Sequence, residues 1–210
     1  MNKSNLYQTG KNYEEKGMID KAYQCFLEAA MSENDADAMN ELGHMYYEGE
    51  YVRQDYLKAG YYYGMAYDNG ADILDYTLIM AGSYWENQPD DNNDKENLKQ
   101  AMKYYQAAAD RGVAYGNECL GKIYFDQGDY DKAYENLLKM DETNPLGLYY
   151  MGRMYDEGHV VEQNTETAID YYKRAVEAGT GYEEYGEDEH AALAKKRLQE
   201  LGVSCTINTP

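Results

Sequence analysis

The chain has 210 residues, 43% of them apolar, and its 39 Asp and Glu against 19 Lys and Arg leave a formal net charge of −20. That excess excludes a basic footprint for nucleic acid and docking on an anionic membrane surface. The apolar share is enough for a packed core and excludes wholesale disorder. No apolar run approaches the roughly 20 residues of a membrane span, and the first residues have no apolar stretch of the signal-peptide kind. Cys25, Cys119 and Cys205 are too dispersed for a zinc ribbon or a disulfide framework. A reducing, cytoplasmic location is the expectation.

In chain order, five copies of one pattern run through the sequence. The first spans about 4–35: TGKNYEEKG carries Gly10 and a marker Tyr13, and Ala22, Phe26 and Ala29 follow downstream. The second, about 36–70, has LGHMYYEG with Gly43 and Tyr46, then Ala59, Tyr63 and Ala66. The third, about 71–113, is divergent. MAGSYWEN sets Ala81 three residues before Tyr84, and Ala101, Tyr105 and Ala108 complete it. The fourth, about 114–144, has LGKIYFDQG with Gly121 and Tyr124, then Ala133, Leu137 and Met140. The fifth, about 145–179, has MGRMYDEG with Gly152 and Tyr155, then Ala168, Tyr172 and Ala175.

Offsets of three, four and seven place each set on one helical face. Each copy therefore reads as two antiparallel helices, a small residue on the first letting the second approach. From marker Tyr to the downstream Ala the gaps are 9, 13, 17, 9 and 13 residues, in steps of four. The third copy carries an insertion at 86–97, ENQPDDNNDKEN, where Pro89 and the Asp/Asn cluster break regular structure. An EF-hand counted from Asp90 would need Gly and Glu where Lys95 and Ala101 stand, so a solvated loop is expected. A loop at 180–187 precedes a capping helix at 188–201, with Ala191, Ala194, Leu198 and Leu201 as its apolar stripe. The whole reads as one repeat domain over 1–202, with a fraying tail at 203–210.

On these residues the first and fourth copies resemble tetratricopeptide repeats. The second and fifth resemble Sel-one-like repeats, whose LGxMYxxG and MGxMYxxG cores continue here as YVRQDYLKAGYYYGMAYDNGA and HVVEQNTETAIDYYKRAVEAG. The third is similar to a Sel-one-like copy with an insertion. The resemblance implies an all-α fold, a right-handed α–α superhelical solenoid of helix-turn-helix repeats with a C-terminal capping helix. It also implies a protein–protein interaction scaffold.

No glycine-rich phosphate loop, metal-spaced His/Cys pair or nucleophile elbow is present, so no cofactor, metal or catalytic residue is expected. None of the carboxylates reads as standing in an apolar stretch that would raise its pKa. The first helices of such arrays line the concave groove. Three central copies place Tyr47, Trp85 and Phe125 directly after the marker Tyr, with Glu48, Glu86 and Asp126 one residue further. His44 and Arg153 lie two residues before their markers. These eight form the candidate partner-binding groove, an aromatic strip with an acidic border suited to a peptide or protein carrying basic and apolar residues. Lys11–Glu15, Lys122–Asp126 and Arg153–Glu157 read equally well as helix-stabilising i,i+4 pairs, and the three aromatics equally well as partly buried packing residues. An acidic inhibitor or immunity-type protein masking a basic target is the alternative role, and an enzyme using the groove a third.

Overall fold

The computed structural model describes residues 5–88, 94–180 and 188–204. Among them are eleven helices and no strand: α1 (Asn5–Glu15), α2 (Ile19–Glu33), α3 (Ala36–Glu48), α4 (Tyr56–Asp68), α5 (Asp75–Glu86), α6 (Asp94–Asp110), α7 (Ala114–Asp126), α8 (Tyr130–Leu137), α9 (Pro145–Glu157), α10 (Thr165–Gly179) and α11 (Glu189–Glu200). The pairs α1/α2, α3/α4, α5/α6, α7/α8 and α9/α10 are the five expected hairpins, and α11 is the expected last helix. The centre of the 86–97 insertion, the loop at 181–187 and the tail from 205 lie outside the described residues. The chain divides into two compact units, Met1–Arg111 with α1–α6 and Gly112–Pro210 with α7–α11.

The downstream signature is the buried seam of each hairpin. Ala22, Ala59, Ala101, Ala133 and Ala168 are fully buried, as are Phe26, Tyr63 and Leu137, and Tyr105 and Tyr172 are nearly so. Each bulky residue lies against a glycine of its own first helix. A Cβ added at Gly10 would meet Phe26 at 2.6 Å, at Gly43 Tyr63 at 2.5 Å, at Gly121 Leu137 at 2.7 Å and at Gly152 Tyr172 at 2.6 Å. In the third hairpin that place belongs to Gly82, whose added Cβ would fall 2.3 Å from Tyr105, and not to Ala81. The register assigned from MAGSYWEN is therefore one residue off. Counting three from Gly82 makes Trp85, not Tyr84, the counterpart of the other marker tyrosines, and leaves Glu86 as the residue directly after it.

One hydrogen bond recurs at the turns of the first, second, fourth and fifth hairpins. The N–H of the residue before the second helix donates to the marker tyrosine carbonyl: Met18 to Tyr13 at 2.8 Å, Asp55 to Tyr46 at 3.0 Å, Asp129 to Tyr124 at 2.9 Å, and Asn164 to Tyr155 at 2.9 Å. The second and fifth hairpins reach that anchor with four additional loop residues, which explains their longer gaps. In both, a glutamine amide ties the longer loop back to the first helix, Gln54 Nε2 to the Tyr47 carbonyl at 2.8 Å and Gln163 Nε2 to the Asp156 carbonyl at 2.7 Å. Gly49 and Gly158, at φ 72° and 71°, end α3 and α9 in the left-handed conformation that leads into these loops. Asp55, Asp129, Asn164 and Asp188 then cap the following helices through their side chains.

The marker tyrosines sit at the hairpin margin. Tyr46 is buried, and Tyr13, Tyr84, Tyr124 and Tyr155 are half-buried. Three of them carry a lysine from the residue before the seam alanine. Lys21 lies 5.4 Å from the Tyr13 ring centre, Lys58 5.2 Å from Tyr46, and Lys132 5.2 Å from Tyr124. These ammonium groups keep their water while resting on an aromatic face.

Candidate partner-binding surface

The register correction separates the three aromatics expected to line one strip. Tyr47 and Phe125 share a position, directly after their markers. Trp85 does not: it occupies the marker position of α5, half-buried and edge-on to Tyr84 at 5.4 Å. Phe125 does not face open space either, being 3% exposed. Tyr130, Tyr150 and His159 meet its ring at 5.1, 5.3 and 5.8 Å, and the Arg153 guanidinium covers it at 4.2 Å. Tyr47 alone of the three stands out, at 39% exposure.

The polar members are likewise drawn into the fold to different degrees. His44 is half-buried, its Nδ1 3.0 Å from the Tyr63 hydroxyl and its Nε2 3.3 Å from Asn40 Nδ2. Glu86 accepts a 2.6 Å hydrogen bond from the Tyr105 hydroxyl, a seam contact. Asp156, at the equivalent position of α9, accepts from Tyr172 at 3.2 Å in the same way. Asp126 is exposed and accepts from the Tyr150 hydroxyl at 3.4 Å. Arg153 makes the expected pair with Glu157 at 2.7 Å. Lys11 differs: it pairs with Glu14 at 2.5 Å and with Glu41 on α3 at 3.0 Å, not with Glu15. Burial works against its charge, and the two carboxylates outweigh that and raise its pKa. Glu48 is exposed, and with His44 it lines a cavity of about 400 Å³ alongside Glu14, Ile19, Glu41, Met45, Glu50 and Tyr51.

Within the first unit the structure gathers rings that the strip did not include. Tyr56, the first residue of α4, meets Tyr47 at 5.6 Å, and Tyr76 of α5 meets it at 5.9 Å. Both are more exposed than Tyr47, at 56% and 41%. Tyr76 in turn lies edge-on to buried Tyr63 at 6.4 Å, which anchors the group to the hairpin core. This trio is an open aromatic cluster of the first unit. Tyr56 was legible in principle, since it stands three residues before Ala59 as Tyr130 stands three before Ala133. Leu57, next in sequence to Tyr56, is exposed as well.

Catalytic chemistry finds one unexpected group. Glu118 on α7 is fully buried, and burial pushes its carboxyl up to about 7 against the pull of the Asp141 and Gly147 backbone N–H groups. Its Oε1 accepts from the Asp141 N–H at 3.0 Å, and its Oε2 has no hydrogen-bond partner among the described residues. The expectation that no carboxylate sits in apolar surroundings is thus wrong at this residue, flanked by Cys119 and Leu120. Glu118 faces the corner between α8 and α9, not an open cleft, so its place is architectural. Among the described residues no cluster of three or more His, Cys, Asp or Glu is arranged to hold a metal, and no helix is long and apolar enough to cross a membrane.

Known proteins with these features supply the context. The Sel1 repeat model matches residues 5–34, 36–70, 92–113 and 145–180, and a tetratricopeptide repeat model matches 120–145. The first hairpin is thereby of the Sel1 kind and not the tetratricopeptide kind. The Photosystem I assembly protein Ycf3 of Prochlorococcus marinus is 31% identical over 93 residues, which cover 42% of this chain and 53% of that protein. The chain thus spans about half the length of that curated relative. Among solved structures, a protective antigen of uropathogenic Escherichia coli displaying an SLR fold superposes with a TM-score of 0.56 at 19% identity, over 94% of this chain and 46% of the antigen. A Sel1 repeat protein from Oxalobacter formigenes gives 0.50 at 22% identity, over 94% of this chain and 85% of that one. Both likenesses concern the fold, an all-α solenoid of helix hairpins. With Sel1 matches on four hairpins that together exceed half its length, this chain belongs to the Sel1 repeat family.

Proposed function

We propose that the chain is a non-catalytic adaptor that binds a protein or peptide partner through the first-helix side of its hairpins, in a reducing, cytoplasmic-type compartment. Sel1 and tetratricopeptide repeats are generally protein–protein interaction scaffolds, and the name of the Prochlorococcus relative supports an assembly role. The observation that carries the reading is the exposed trio in which Tyr56 and Tyr76 both meet Tyr47, with Tyr76 edge-on to buried Tyr63. Exposed rings clustered in this way mark interaction surfaces more often than scattered ones do. The net charge favours a partner with basic and apolar residues.

Chemical crosslinking in native lysate followed by mass spectrometry tests the proposal. A protein crosslinked reproducibly to α3, α4 or α5 is the expected result; no protein enriched over a charge-matched control chain refutes it. The alternative, an acidic inhibitor that masks a basic target by charge alone, is favoured by the −20 charge. It separates by salt: capture through charge alone collapses between low and high ionic strength, whereas capture through aromatic contacts weakens only partly.

A further inference from the structure

We propose that the Tyr47–Tyr56–Tyr76 trio is a receptor for an arginine side chain presented by a basic segment of the partner. The inference rests on the adaptor reading and names its surface and ligand chemistry.

The argument is an internal comparison. The second compact unit builds a similar arrangement from two equivalent residues and a third ring displaced by one helical turn. Phe125 stands where Tyr47 does, directly after the marker. Tyr130 stands where Tyr56 does, three residues before the seam alanine at the start of the second helix. A third ring comes from the first helix of the following hairpin, Tyr150 on α9 and Tyr76 on α5. Tyr150 lies two residues before Gly152 and Tyr76 six before Gly82, one helical turn apart on the same side. The ring spacings agree: 5.6 and 5.9 Å around Tyr47, 5.1 and 5.3 Å around Phe125.

The two trios differ in what covers them. Over Phe125 and Tyr150 the chain lays its own Arg153, the guanidinium carbon 4.2 and 5.7 Å from the ring centres, and His159 stacks on Tyr130 at 3.6 Å. At the position of Arg153, directly after the small residue of the following first helix, α5 has Ser83. Ser83 turns toward the seam, 3.4 Å from the Tyr105 hydroxyl. The trio of the first unit therefore keeps its rings, at 39 to 56% exposure, with no intramolecular cation over them among the described residues.

The charges complete the match. Each ring is next in sequence to an acid: Glu48 after Tyr47, Asp55 before Tyr56, Asp75 before Tyr76. Asp55 is engaged by Lys58 at 3.6 Å and Asp75 by Arg111 at 3.3 Å. Glu48 is exposed and makes no ion pair among the described residues, whereas Glu157 is engaged by Arg153 at 2.7 Å and by His159 at 3.1 Å. A guanidinium fits this combination better than an ammonium. Its plane stacks on a ring while its edge pairs with a carboxylate, as Arg153 does with Phe125 and Glu157, and it loses its water more easily.

Calorimetry of the full chain with a blocked hexapeptide of alternating Arg and Leu tests the inference, with its Lys and Gln counterparts as controls. The expected result is binding of the Arg peptide, severalfold weaker binding of the Lys peptide, and none of the Gln peptide. Tyr47→Ser and Tyr56→Ser, both at exposed positions and checked for retained helicity, weaken the Arg peptide by on the order of tenfold. Tyr47→Phe, which keeps the ring, binds within about twofold of the parent. Equal binding of the Arg and Gln peptides, parent-like binding by both serine variants, or no binding at millimolar peptide overturns the proposal. A natural partner that crosslinks equally to the parent and to Tyr47→Ser overturns the arginine receptor and leaves the adaptor reading standing; absence of any partner overturns the adaptor reading itself.

Discussion

At the scale of single residues, stability and register are decided by groups that look unexceptional in the sequence. Glu118 titrates near 7 in the folded chain and near 4.5 when solvated, because burial disfavours its charge. Between those values the unfolded chain binds fewer protons than the folded one. Stability therefore falls as pH rises from about 4.5 to 7 and is level above, by up to about 3 kcal/mol from this group. Burial acts oppositely on His190, lowering its pKa, so its contribution rises with pH. Glu118→Gln isolates the carboxyl: denaturant unfolding at acid and neutral pH should show the decline flattened relative to the parent. Identical pH profiles would refute the assignment. A second residue-scale prediction tests the register of the third hairpin. Gly82→Ala drives a methyl into Tyr105 and should cost about 1–3 kcal/mol, the range for overpacking, read as a lowered thermal midpoint. A midpoint at or above the parent's would return Ala81 to the seam.

At the scale of elements, the hairpin is the legible object. Five hairpins and the last helix follow from small residue, aromatic and alanine at fixed offsets, because those offsets are helical geometry. Trp85 was misplaced because MAGSYWEN offers both Ala81 and Gly82, and only the approach of Tyr105 tells which is in contact. Phe125 was misread because its exposure depends on Arg153 and His159, about thirty residues on, which no local pattern reports. The exposed trio escaped for the same reason, being assembled from three helices. The last helix is fastened by a further long-range contact. Arg197 on α11 donates to both oxygens of nearly buried Asp156, at 2.6 and 3.3 Å, and Tyr172 shares that carboxylate. Burying Ala191, Ala194 and Leu198 holds α11 in place, and the ion pair fixes its register. Arg197→Ala leaves Asp156 with the tyrosine alone. The guanidinium is partly solvated, so the loss should be about 1–3 kcal/mol, below that of a wholly buried pair. Hydrogen exchange should show faster exchange on α11 before α7 or α9 changes; uniform acceleration would contradict a local latch.

At the scale of the whole molecule, the net charge of −20 sets the response to salt. Like charges at this density repel in the compact state, and most of the ion pairs are surface pairs of small individual worth. Raising sodium chloride from low to about 0.5 M screens both, and the repulsion is the larger. The thermal midpoint should rise; a fall would mean that the cross-helix pairs, Lys11–Glu41 and Arg197–Asp156 among them, dominate. The aromatic contacts carry a different consequence. Rings of the first unit follow one another from Tyr23 through Tyr46, Tyr62, Tyr61 and Tyr84 to Trp85, with centres 5.3 to 6.4 Å apart. The chain contains a single tryptophan, so every excitation that hops along these phenols drains into one indole. Light absorbed by tyrosine should emerge as tryptophan fluorescence while the hairpins are stacked and as tyrosine fluorescence once they part, making Trp85 an optical gauge of the first unit that needs no attached dye.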